Sequence, residues 1–319
     1  LLIGAYLFNC TFTSPALLPA FKGSTLRGAF GHAFKKVSCA LRRQNCATCL
    51  LSETCPYSLI FENHNSTPED APASKVRISA RPHPYTLQPP RQENLIYQKG
   101  EAFSFGITLF GKANDYLPHI VYAVDMMGEN GIGRHSGVEG GRFTLDTVDV
   151  GGQSIYNGQS KLLSRHHPLA HLALSDNTSP LPPVAELTVT FQTPLRLKQH
   201  NQLQEALPFH LLIRAALRRL ATLEQYYADG EPALDYRGLI RQAEGVVTLS
   251  SHCRWLDLER YSSRQKTAMF LGGLVGSTCY SGDLDVFLPI LRYCQQTQLG
   301  KQTTFGLGQI SLSQVQPAH

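Results

Sequence analysis

"FKGSTLRGAFGHAFKK", Phe21 to Lys36, decides how the first half of this chain is read. At 3.6 residues per turn, Leu26, Ala29, Phe30, Ala33, Phe34 and Val37 fall together and predict a helix over 24–37 with that side toward a core. Arg27, Gly28, Gly31, His32, Lys35 and Lys36 take the opposite side. A glycine inside a helix costs about 1 kcal/mol relative to alanine, so two of them on a basic face ask what comes close. A smooth basic face admits a phosphate backbone. Lys22, in the opening "KGST", adds charge beside the helix N-terminal N–H groups, which suit an anion. The competing reading is a solvated helix whose glycines let a neighbouring element pack tightly.

Outward from this helix the first half reads as strand (2–10), helix, cysteine-bearing insertion (about 38–60), strands, helix, glycine loop and strand. "EAFSFGITLFG" (101–111) alternates like a strand, and Leu117, Ile120, Val121 and Val124 then follow helical spacing. Pro118 sits in that helix's first turn, where a missing N–H costs little. From 184 the pattern restarts: "VAELTVTFQTPLRL" is a strand, and Phe209, Leu212, Ile213, Ala216 and Leu220 form a helical stripe. Strands follow over about 248–281, then a stripe at Leu284, Phe287, Leu288 and Leu291 that Pro289 should kink or shorten. Both halves thus predict β-α-β-β-α-β, an α+β chain of tandem ferredoxin-like domains of the kind seen in RNA-recognition folds. The expected domains are 1–155 and 184–319, joined by a Gly-, Ser-, His- and Pro-rich connection over 156–183.

The 319 residues are 42% hydrophobic and 17% charged, which excludes a disordered chain. No apolar run reaches the length of a membrane span, and "LLIGAYLFNC" lacks a signal peptide's charged n-region and reads as a first strand. A net charge of +5, from 29 basic against 24 acidic residues, is compatible with a polyanionic partner. Eight cysteines in a chain this long do not suggest a secreted disulfide scaffold and fit a reducing cytoplasm.

Four of them, Cys39, Cys46, Cys49 and Cys55, are spaced C-x6-C-x2-C-x5-C. Four thiolates so spaced can close a tetrahedral structural zinc site that leaves no position open for catalysis. An iron–sulfur cluster is the lesser alternative, and four free thiols in a loop the plain one. Cys10, Cys253, Cys279 and Cys294 sit in apolar patterns and read as core.

Near the end, "GKQTTFGLGQI" places Gly306 and Gly308 around Leu307, permitting unusual backbone angles, and Lys301 adds charge. A tight turn before a strand would read the same way. "RAALRRL" (214–220), with Arg218, and "RYSSRQK" (260–266), with Arg264, supply further cations for RNA or merely for solubility.

Taken together, "FKGSTLRGAFGHAF", the spaced cysteines, "CPYSLIFE", "WLDLERYSSRQKTAMFLGGLVGSTCYSGDL" and "GKQTTFGLGQI" resemble the CRISPR-associated RAMP superfamily, and within it the endoribonucleases that process precursor CRISPR RNA. The resemblance spans nearly the whole chain and is weakest at about 151–183. It implies two ferredoxin-like domains, a prokaryotic cytoplasmic setting, binding of CRISPR repeat and guide RNA, metal-independent cleavage, and contacts with CRISPR effector-complex subunits. It carries RNA contact onto Gly306 and Gly308 and metal binding onto Cys39, Cys46, Cys49 and Cys55, but no catalytic set.

H-E-x-x-H, Walker A and G-x-S-x-G motifs are missing, and nothing marks the carboxylate cluster of a two-metal nuclease. The aromatic RNP1 signature is also missing, which argues against bases stacked on a sheet. Metal-free RNA cleavage needs a base for the 2′-OH, an acid for the leaving 5′-oxygen and cations for the phosphate. It leaves a 2′,3′-cyclic phosphate and a 5′-OH. Among twelve histidines, His32 is the first candidate base because it shares a face with Lys35 and Lys36. His83 in "RPHPY" is the second, with Tyr85 as a possible proton donor, unless that segment is simply a stiff proline-rich loop. His210 and His252 are outside candidates; His166 and His167 read as linker, and His64 as a flank of the metal loop. The alternatives to an enzyme are a non-cleaving RAMP subunit that holds guide RNA and a zinc-stabilised protein adaptor.

Overall fold

A computed structural model describes residues 1–41, 44–62, 81–133, 140–164, 166–174, 184–199, 202–203, 207–262 and 267–315. The chain divides into two compact units, Leu1–His171 and Leu172–His319.

In the first unit, β1 (Leu2–Phe12) leads to α1 (Gly23–Ser38), β2 (Tyr85–Gln88), β3 (Ala102–Phe110), α2 (Leu117–Asn130), β4 (Phe143–Val150) and β5 (Gln153–Asn157). The sheet is antiparallel, in the order β2-β3-β1-β4-β5. Alternation along β1 sends Tyr6, Phe8, Cys10 and Phe12 into the core, where Phe8 opposes Phe105 and Val148. α1 and α2 close over that face with Leu26, Phe30, Phe34, Ile120, Val121 and Val124. The other face carries polar side chains bonded to one another: Asn9 donates to Thr147 at 2.9 Å and Asp149 at 2.7 Å, Ser104 donates to Asn9 at 2.7 Å, and Thr11 donates to Asp146 at 2.6 Å.

Part of the stretch read as a connection belongs to this sheet. Leu162–Leu163 pairs with β5, and Ala170–His171 pairs with Leu2 and Ile3. His167, read as linker, lies 3.1 Å from the buried Tyr6 hydroxyl through Nε2. Two-residue strands have no periodicity to read, so only pairing reveals them.

The second unit runs β6 (Glu186–Leu195), α3 (Phe209–Tyr227), α4 (Tyr236–Glu244), β7 (Val247–Ser251), β8 (Gly273–Ser281), α5 (Leu288–Thr297) and β9 (Ile310–Val315). Its antiparallel order is β7-β8-β6-β9, with Arg254–Leu256 also on β8. Leu187, Val189, Phe191, Leu212, Ile213, Ala216, Leu288 and Leu291 are in its core. Pro289 shortens rather than kinks its helix: α5 begins at Leu288, so the ring occupies the first turn, after a 3-10 turn at Asp285–Phe287. α4 is an addition to the β-α-β-β-α-β pattern expected from the sequence. Its signals are the short stripe Tyr236, Leu239, Ile240 and Ala243, which packs on this core, and Asp235, whose carboxylate accepts from the Gly238 N–H at 3.0 Å as an N-cap.

Candidate nucleic-acid interface

α1 holds most of the residues expected to meet RNA, and the fold sorts them. Lys22 is turned inward, 1% exposed. Its ammonium donates to the carbonyls of Gln92 at 2.7 Å and Ala20 at 3.2 Å, and lies 5.6 Å from the Tyr97 ring. Burial pulls its pKa down, partly offset by Glu93. Lys22 therefore ties the start of α1 to the 92–97 segment and is not a surface phosphate contact.

One flank of the basic face is already covered. The segment after the cysteines contains a short π-helical stretch, Ser58–Glu62, that lays Phe61 on α1. A Cβ at Gly31 would stand 3.0 Å from the Phe61 ring. The close approach that Gly31 permits is thus made by this protein's own side chain, as the tight-packing reading required. Phe61 also meets Phe30, Phe34, Tyr57 and Tyr85 with ring centroids 5.3–5.8 Å apart. Arg27 sits 5.7 Å over Phe61 and Lys35 5.2 Å over Tyr57, so both cations roof aromatic rings. Burial, with Glu62 and Cys46 adding to it, pushes the Tyr57 hydroxyl up to about 12.

What remains outward is a single stripe. Gly28, His32 and Lys36 recur every fourth residue and are all exposed, and a Cβ at Gly28 would meet no atom within 4 Å. A histidine with a cation one turn on and a bare turn of helix before it can take a proton beside a phosphate.

The second catalytic candidates fare differently. His83 is half-buried, and its Nδ1 lies 3.1 Å from the Ile60 carbonyl. A carbonyl only accepts, so Nδ1 carries the proton and Nε2 is the basic nitrogen of the neutral ring. Tyr85 is 1% exposed on β2, opposite Leu109 and packed edge-on to Phe30. As placed, it is a core aromatic and not a proton donor. Its position between two prolines' worth of loop and a strand hid that, because one tyrosine carries no periodicity.

Cys39 caps the C-terminus of α1, Cys46 opens a 3-10 turn ending at Thr48, and the Cys49 N–H bonds the Cys46 carbonyl. Cys55 lies 3.9 Å from the Ser38 carbonyl through sulfur. The Cys46 thiol is raised by burial first, then by Glu62, with Cys39 and Cys55 adding and Lys35 opposing. The four thiols share a neighbourhood. Yet among the described residues no three His, Cys, Asp or Glu side chains are gathered closely enough to hold a metal ion. A closed zinc site on these four cysteines would require them to draw together around the metal from the positions they hold here.

In the second unit, Arg218 and Arg214 are exposed on α3, as is Lys301 in the glycine segment; Arg264 lies outside the described residues, as does His64. Gly306 and Gly308 are buried, at φ +88° and +79°. A Cβ at Gly308 would collide with the Leu299 carbonyl, and the Leu299 N–H in turn bonds the Gly308 carbonyl at 2.8 Å. The Gly308 backbone is thus taken up by internal contact, and Lys301 is the exposed side chain of the segment. Gln309 is buried too, and its N–H donates to Thr193 at 2.9 Å.

Among the described residues, no helix is long and apolar enough to cross a membrane. The model of the AF_1859_N family, described as an N-terminal domain, matches residues 1–168, and that of the CRISPR-associated endoribonuclease Cas6 matches 189–310. An uncharacterized protein of Archaeoglobus fulgidus is 27% identical over 295 residues, 91% of each chain. The fold is similar to Thermus thermophilus Cas6, at 11% identity and a TM-score of 0.54 over 98% of both chains. A Cas6 product complex gives 15% and 0.54, over 98% of this chain and 99% of that one. A chain of a partial Cas6-RT-Cas1–Cas2 complex matches all of this chain at 14% identity and a TM-score of 0.57. This chain spans about half of it, 47%. With residues 1–168, more than half of the chain, matched by its model, the chain belongs to the AF_1859_N family, and its 189–310 region is similar to the CRISPR-associated endoribonuclease Cas6.

Proposed function

We propose that this protein, two ferredoxin-like folds in tandem, binds CRISPR repeat RNA and cuts it without a catalytic metal, leaving a 2′,3′-cyclic phosphate and a 5′-OH. The observation that carries the reading is the exposed stripe Gly28–His32–Lys36 on α1, in a chain whose 189–310 region matches an endoribonuclease family. His32 takes the 2′-OH proton; the freed oxygen attacks the adjacent phosphorus in line, and the P–O5′ bond breaks as that oxygen is protonated. Lys36 offsets the charge that builds on the phosphate. The bare turn at Gly28 lets the backbone of the RNA lie against the helix. The sheet of the same unit is an unsuitable platform, because Asp146 and Asp149 on its outward face would repel phosphates.

Structural zinc on Cys39, Cys46, Cys49 and Cys55 is proposed from spacing alone, and no step of the reaction passes through it. The test is incubation with repeat RNA in EDTA, comparing all-ribose substrate with single 2′-deoxy substitutions. Cleavage that survives EDTA, stops at one 2′-deoxy position and is lost by at least 100-fold in His32→Ala, with binding kept, is expected. Tight binding with no cut would replace the enzyme with a guide-holding subunit.

A further inference from the structure

The run "RAALRRL" contains three arginines that composition cannot tell apart. Two of them, Arg214 and Arg218, are exposed, whereas Arg219 is turned toward the end of α5. Its Nη2 donates to the Thr297 carbonyl at 2.7 Å and its Nε to the Gln298 carbonyl at 3.1 Å. These are carbonyls at the helix C-terminus, where partners within the helix run out and a cation is favoured. A planar guanidinium can hold both at once; an ammonium cannot match that fork.

What leaves the helix there is a segment of concentrated backbone strain. Between 298 and 308 five residues have left-handed φ: Gln298 (+58°), Gly300 (+83°), Gln302 (+64°), Gly306 (+88°) and Gly308 (+79°). Two of the five carry side chains, a conformation that is strained and persists only where the surroundings impose it. The far side of the segment is tied to the end of β6 and the residues after it. The Gly308 N–H bonds the Pro194 carbonyl at 3.2 Å, the Lys301 N–H bonds the Arg196 carbonyl at 3.1 Å, and the Leu299 N–H and Gly308 carbonyl close the neck at 2.8 Å. On the α3 side, the bonds from Arg219 fall on the residue before the segment and on its first strained residue. Lys301 is exposed at its tip.

We propose that Arg219 is a positioning residue: it holds the strained 298–308 segment in the shape that presents Lys301 to RNA. This rests on the RNA-binding reading above. It separates Arg219 from Arg218, which would act, if at all, by direct contact.

The experiment combines hydrogen exchange with a double-mutant cycle on affinity for repeat RNA. Arg219→Gln should speed amide exchange at Leu299 and neighbours at least tenfold while α3 and β6 exchange as in wild type. Affinity should fall about tenfold in the wild-type background and less than twofold in a Lys301→Ala background. Arg219→Lys, which keeps the charge but not the fork, should lie between on both measures and carries the test if Arg219→Gln does not fold. Unchanged exchange overturns the clamp. Equal loss of affinity in both backgrounds overturns presentation of Lys301, since Arg219 would then act elsewhere. Faster exchange with full affinity shows that the segment's shape does not matter to RNA, and also overturns it. If Lys301→Ala alone binds as wild type, the RNA reading at this segment fails, and the exchange result still decides whether Arg219 holds it.

Discussion

Replacing Gly28 and Gly31 separately by alanine sets two identical chemical changes against different surroundings on one helix. In each, alanine gains about 1 kcal/mol of helix propensity. At Gly28 the new methyl meets no atom within 4 Å, so nothing opposes that gain. Gly28→Ala should therefore stabilise the first unit by about 1 kcal/mol, raising its melting midpoint by roughly 2–4 °C. At Gly31 the methyl stands 3.0 Å from Phe61, whose ring is held by Phe30, Phe34, Tyr57 and Tyr85. Forcing that ring aside by a few tenths of an ångström costs about 1–3 kcal/mol, as overpacking does. Gly31→Ala should thus be neutral to about 2 kcal/mol less stable than wild type. Affinity for repeat RNA, followed by filter binding at fixed salt, should move the other way at Gly28: a methyl where the phosphate backbone lies should weaken binding about tenfold, or about 1.4 kcal/mol. Two results would refute the reasoning. A destabilised Gly28→Ala would mean that something does cover that turn; a stabilised one that binds RNA as wild type would mean that the bare turn is not clearance for RNA.

Other expectations follow from the sorting of α1. Lys22→Ala should cost about 2 kcal/mol, because the Ala20 and Gln92 carbonyls lose their donor, and should leave the salt dependence of RNA binding unaltered; a reduced slope would mean that Lys22 meets phosphate. Tyr57, neutral in the fold up to about pH 12, favours the folded state fully below the ordinary tyrosine pKa near 10, and that contribution is lost as pH rises from 10 toward 12. In Tyr57→Phe the alkaline loss of stability, followed by chemical denaturation at each pH, should be smaller, and an unchanged loss would contradict the burial of that hydroxyl. Atomic emission on purified protein should find about one zinc per chain, lost in Cys49→Ser; a metal-free wild type that folds normally would leave the four cysteines as thiols.

Much of the architecture was legible in the chain itself. Period-two alternation in β1 and the i, i+3, i+4 stripes of α1, α2 and α3 each record a face that the element buries against its own core, and such faces need no partner to be identified. α4 also keeps helical spacing, with Tyr236, Leu239, Ile240 and Ala243 packed on the second core, but over nine residues, with only Ala243 fully buried, that stripe is short. Pairing, not pattern, makes strands of 162–163 and 170–171 within the expected connection.

The site was legible only in composition: a histidine, glycines and cations on one side of α1. Which of them remain outward depended on a segment some 25 residues downstream folding back, and no local spacing encodes that. Phe61 occupies the room above Gly31 and draws Arg27 over its ring, Tyr57 draws Lys35, and Lys22 turns inward to two carbonyls. Likewise Arg218 and Arg219 are adjacent in sequence, yet one residue of helix is a 100° turn, enough to put one in solvent and the other on the end of α5. The sequence by itself determined which side of each element faces its own core, because hydrophobic burial is written in periodicity. The tertiary structure decided what covers the opposite side, because that depends on contacts between residues far apart in the chain.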